Sequence, residues 1–158
     1  MPSLTHLLVA EHAVLAALFD EIDGILDHAR SPGEVNRLAR LVEGVLRRHG
    51  SAESELAYAA LDQMLAERGE LLQLHQDHRE IDAHLARATI APDLHEARRL
   101  LRRALAISRA HFRREEHSVF PLFERAFNPE ALEAFGEAAL QRYLDADRDP
   151  AALSQSPR

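Results

Sequence analysis

The chain has 158 residues, is 46% hydrophobic and contains no cysteine. That is enough for one ordinary core, and it excludes disulfides, zinc–thiolate sites, iron–sulfur clusters and thiol chemistry. A formal net charge of -7 argues against nucleic acid as a partner. The opening MPSLTHLLVAEH has no basic n-region and meets an acid and a histidine early, so it does not read as a signal peptide. No apolar run is long enough to span a bilayer, and a cytoplasmic location with no membrane contact is expected.

Helices are expected throughout. The first runs from about Leu4 to His28, capped by Ser3. Ser31-Pro32-Gly33-Glu34 is a capping box with proline at the first helical position, opening a helix to about Met64. A third covers about Glu70 to Ala88. Ala91-Pro92 breaks the chain, and Asp93 with Glu96 caps a fourth helix to about Phe127. Asn128-Pro129 begins a shorter helix expected to end near Leu144, and the last residues are polar with two prolines. The fold class implied is all-α, an up-down-up-down four-helix bundle with a short additional C-terminal helix. The expected organisation is a bundle over residues 1–127, a packed helix over 128–144 and a disordered tail over 145–158.

Each long helix carries an apolar seam at spacings of three and four. The seams are Leu8, His12, Leu15, Phe19, Ile22, Leu26; then Val35, Leu38, Val42, Val45, His49, Glu53, Leu56, Ala60. The other two are Leu71, Leu74, His78, Ile81, Leu85, Ala88, and Leu101, Ala104, Ser108, His111, Glu115, Ser118, Leu122. A histidine interrupts every one. In two of them a glutamate follows four residues later, which stacks His49 with Glu53 and His111 with Glu115 on one helix face.

The pattern repeats. Glu11-His12 with Leu15 matches Asp77-His78 with Ile81, and each precedes a helix bearing H-x3-E. Such a duplication places two equivalent half-sites about one axis, which is what a binuclear centre requires. Buried alone, the carboxylates would cost several kcal/mol each. Metal cations relieve that cost, and four imidazoles with two carboxylates and no sulfur suit iron, manganese or zinc.

The order H…H-x3-E…H…H-x3-E resembles the hemerythrin-like, or HHE cation-binding, family. The stretch HFRREEHSVFPLFERAF is similar to its fourth-helix motif, including Glu116 and Phe120-Pro121, and the likeness spans about residues 4–127. The resemblance implies a four-helix bundle with two iron ions bound through His12, His49, Glu53, His78, His111 and Glu115. It implies dioxygen, peroxide or another small diatomic molecule as the ligand, for sensing, storage or carriage. Where the family often repeats Phe-Pro after the first H-x3-E, this chain has Tyr58-Ala59. The second third-helix histidine of oxygen carriers, spaced four from the first, is missing: Leu74 and Asp82 flank His78 at that distance. His75, Tyr58 and Glu116 are candidates for an additional ligand or a hydrogen-bonding neighbour. Leu8, Leu15, Val45, Leu74, Ile81, Phe120 and Leu122 are expected to wall the site. With one ligand fewer, a di-iron oxidase or peroxide-consuming enzyme is an alternative, and a metal- or oxygen-responsive regulatory module a second. No pocket for an organic substrate is legible.

Overall fold

The computed structural model describes residues 2–148, and every regular element among them is helical. Helix α1 is Leu4–His28. Helix α2 starts as an α-helix, Pro32–Ala52, widens into a π-helical segment, Glu53–Tyr58, and resumes as Ala59–Glu67. Helix α3 is Glu70–Ala88. Helix α4 has the same construction as α2: Leu94–Arg114, a π segment Glu115–Val119, then Phe120–Ala126. Helix α5 is Pro129–Arg148, four residues longer than the expected end at Leu144. Residues 145–148 of the anticipated tail are therefore helical, and its remainder lies outside the described residues.

The caps act as the sequence implies. Ser31 accepts the amide of Glu34, whose carboxylate accepts the amide of Arg30 in return, one residue further out than in the usual reciprocal box. Asp93 accepts the amide of Glu96, and Asn128 accepts that of Ala131. Between α2 and α3 the chain turns at Gly69, whose φ of 72° is cheap only for glycine.

Two apolar clusters fill the bundle. One gathers Leu15, Phe19, Ile22, Leu26, Val42, Ile81, Leu85, Leu101 and Leu105 with their neighbours. The other gathers Leu4, Leu8, Tyr58, Leu61, Leu65, Leu74, Phe120 and Phe123, and α5 adds Ala139 with the partly buried Leu132 and Phe135. Phe123, Phe127 and Phe135 form a ring triad with centroids 4.8–5.2 Å apart, joining α4 to α5. On α1, Leu8 belongs to one cluster and Leu15 to the other, and between them comes His12. The polar residues thus form a layer that divides the core.

Within and just after the π segments the seam departs from expectation, although Leu122 is buried as the spacing implies. Leu56, Ala60 and Ser118 are only half-buried, whereas Ala57, Tyr58, Leu61, Val119, Phe120 and Phe123 are buried. A turn closed i→i+5 takes in an extra residue, so the inward face slips by about one position. Helical periodicity alone cannot register that slip.

Candidate metal centre

The six expected residues converge. His12 and His49 are 2% exposed, His111 1%, and Glu53 and Glu115 not at all. His78 differs, with 26% of its side chain exposed. Ligand atoms of His12, His49, Glu53 and Glu115 lie within 4.8 Å of one another, and those of Glu53, His78 and His111 form a second such group.

Both glutamates span the two groups. Glu53 Oε1 lies 2.9 Å from His49 Nε2 and 3.3 Å from His12 Nε2, while Oε2 lies 3.9 Å from His78 Nε2. Glu115 Oε2 lies 3.4 Å from His12 Nε2, and Oε1 lies 3.2 Å from His111 Nε2. The arrangement follows from the stacking of residues four apart on α2 and α4, with α1 and α3 each contributing one imidazole.

Acids hold the far side of three rings. Nδ1 of His12 pairs with Glu116 at 2.9 Å, Nδ1 of His49 with Glu11 at 2.9 Å, and Nδ1 of His111 with Asp77 at 3.3 Å. Asp77 also accepts from Arg114 and from Gln73. A carboxylate on Nδ1 keeps the proton there and turns the Nε2 lone pair inward. His12 Nε2 is 3.1 Å from His49 Nε2, and His78 Nε2 is 2.9 Å from His111 Nε2. Lone pairs so close need a cation or a proton between them. Glu53 Oε2 and Glu115 Oε2 are moreover buried without a hydrogen-bond partner, an expensive condition for a carboxylate. The donor set and these orphaned oxygens fit metal ions.

The electrostatics describe a site short of positive charge. Burial disfavours charged His49, yet Glu53 and Glu11 outweigh it and raise the imidazole to about 10. Burial also opposes charge on Glu53, but His49 and His12 prevail and hold it well below the ordinary range. Glu115 moves up, through burial and then the charge of Glu53, which His111 does not offset. Burial and the proximity of His111 lower His78 to about 4.

Of the further candidates, Tyr58 is buried and its hydroxyl donates to Glu115 Oε1, with His111 Nε2 3.5 Å away. Burial and the two carboxylates raise its pKa and keep it a phenol. Five residues past Glu53, it would sit about 140° off that face in a regular α-helix; the π segment brings it back. Glu116 reaches His12. His75 is exposed, its ring 6.5 Å from that of Tyr58, and it joins neither ligand group. Of the expected wall, Val45 is only partly buried, and Phe112, absent from the predicted seam, stacks on His12 at 4.1 Å. Glu11 and Asp77 enter the sequence reading only as a repeated acid–histidine pair. Their signal in the sequence was the duplication itself.

Fold and site define a helical bundle with a buried histidine–carboxylate cluster able to hold cations. The hemerythrin HHE cation-binding domain matches residues 3–123, most of the chain, and the protein belongs to that family. Searches of curated proteins and of solved structures each return no match. Among the described residues no helix is long and apolar enough to cross a membrane.

Proposed function

We propose that the chain is a cytoplasmic up-down-up-down four-helix bundle holding a non-haem di-iron centre, which binds dioxygen or a related small molecule for sensing, storage or carriage. The observation that carries this reading is the pair of buried glutamates, each offering one oxygen to each cluster of imidazoles. His12 and His49 would hold one ion and His78 and His111 the other, with Glu53 and Glu115 shared between them. The donor set also admits manganese or zinc, and the family resemblance favours iron. Two ferrous ions there would supply the electrons and Lewis acidity that dioxygen chemistry needs.

The protein's own part is to shape and dry the site. Phe112 and Phe120 are buried and stack on His12, which keeps water from that part of the site and strengthens the charge interactions there. Tyr58 holds a proton on its hydroxyl, directed at Glu115 Oε1. Asp77, Glu11 and Glu116 fix the orientation of three rings.

A peroxide-consuming enzyme is the second reading, favoured by a cleft of about 520 Å³ that reaches His49, His78 and His111 from between α2 and α3. It gives a small molecule a route that a sealed carrier site would lack. An oxygen electrode with simultaneous optical recording on the reduced, iron-loaded chain separates the readings. Dioxygen uptake reversed under argon supports carriage or sensing. One-way uptake with decomposition of added peroxide supports the enzyme. No uptake and no spectral change would remove dioxygen from the account.

A further inference from the structure

The two halves of the cluster are built on one plan but finished differently. In each, the residue after the glutamate lies in the first turn of a π segment: Glu116 after Glu115, and Ser54 after Glu53. Glu116 reaches across to α1 and holds Nδ1 of His12 at 2.9 Å. By the duplication, the ring that corresponds to His12 is His78 on α3, and Ser54 and His78 line the same cleft. A serine side chain is too short to repeat the contact. Among the described residues no acid holds Nδ1 of His78, whereas Glu116, Glu11 and Asp77 hold those of His12, His49 and His111.

Packing repeats the asymmetry. The His12 ring is stacked between Phe112, at 4.1 Å, and Phe120, at 5.5 Å, and its side chain is 3% exposed. The His78 ring has His111 at 4.5 Å and Tyr58 at 6.0 Å, and its side chain is 26% exposed. Glu43, Arg47, Ser51 and Asp82 line the cleft beside it, so polar groups run from the surface to the ring. The His12 imidazole is enclosed and held at Nδ1 by an acid; His78 is partly exposed and its Nδ1 has no such acid among the described residues.

Resting on the metal-centre reading above, we propose that the position of His78 and His111 is the labile half of the centre. Its ion exchanges through the cleft between α2 and α3, and Ser54 sets that lability by standing where Glu116 stands in the other half. An outer acid on a ligating histidine typically changes metal affinity about 10–100-fold, so the two positions differ by at least about tenfold.

Cobalt(II) is a suitable probe because its visible bands report each bound ion. The full chain loaded with cobalt is titrated with a chelator, with cobalt content measured at each step. One ion is expected to leave at a chelator concentration at least about tenfold below the other. His78→Ala should retain only the tightly held ion. Ser54→Glu, at an exposed position, should raise the concentration needed to remove the labile ion about tenfold or more and leave the other step in place. Glu116→Gln should loosen only the tight ion. Two ions leaving together, indifferent to Ser54→Glu, overturn the proposal and leave the metal centre standing; so does a Glu116→Gln effect confined to the labile ion. A wild-type chain that holds no cobalt removes the proposal and the metal reading together.

Discussion

Glu53 and Glu115 present carboxylate oxygens within 4.8 Å of each other in the middle of the bundle, neither side chain exposed to solvent. Without cations, two like charges share a dry space, relieved by the protons on nearby imidazoles. Glu115→Gln keeps the shape and removes one charge. The metal-free variant should melt a few degrees higher than the metal-free parent, since about 1 kcal/mol is worth about 2–4 °C at this size. The same variant should lose the rise in melting temperature that iron gives the parent. Differential scanning calorimetry with and without ferrous iron reads both effects. A lower melting temperature for the metal-free variant would mean that the two acids stabilise one another, contrary to this account.

The metal-free chain should also have a distinctive pH profile. His49 is raised from 6.5 to about 10, so its stabilisation is complete below its unfolded value and is lost as pH rises through the folded one. Glu115, raised from 4.5, works in the same direction from a lower starting pH. His78, lowered from 6.5 to about 4, costs stability as pH falls across that interval, and Glu53 adds to the loss at still lower pH. Stability should therefore peak near neutrality and decline toward both sides. Urea midpoints at about pH 6.5, 8 and 9.5 test the alkaline limb. A flat metal-free profile there would show that Glu53 does not hold the His49 proton.

Removing the hydroxyl of Tyr58 should leave the metal count unchanged. Tyr58→Phe deletes the donor to Glu115 Oε1, at a cost of about 1–3 kcal/mol for a buried bond to a charged group. Its effect should appear in the stability of the metal-free form and in the optical response to dioxygen. Loss of a metal ion in this variant would instead make the phenol a ligand. His75→Ala, at an exposed position outside both ligand groups, should change neither metal content nor spectrum.

Much of this was legible in the sequence because the candidate ligands obey helical spacing. The H-x3-E pairs and the single histidines of α1 and α3 lie on apolar seams, and the structure gathers all of them. Less legible was everything that depends on the π segments. Widening at Glu53 and Glu115 turns Tyr58 inward and replaces Leu56 and Ser118 in the core by Ala57 and Val119. A regular period of 3.6 hides such a step. The roles of Glu11 and Asp77 were hidden for another reason. Each acts on a histidine of a different helix, at a contact that no local pattern encodes.

The C-terminal helix offers a test independent of the metal. A methyl group on Gly136 would collide with the backbone carbonyl oxygen of Pro2. Alanine in a helix interior normally gains up to about 1 kcal/mol over glycine, but here the close approach reverses the sign. Gly136→Ala should lower the melting temperature and loosen α5 from the start of α1 while leaving metal content intact. Amide exchange over residues 129–142 would show it. An unchanged or higher melting temperature would mean that α5 does not pack so closely on the N-terminal segment.

The most direct measurement is the iron content of the full chain after anaerobic reconstitution and removal of loosely bound metal, taken together with its His111→Ala and Glu115→Ala variants. The account predicts about two iron ions per wild-type chain and loss of metal from both variants. A wild-type chain that retains no transition metal, or variants that retain as much as the parent, would contradict it.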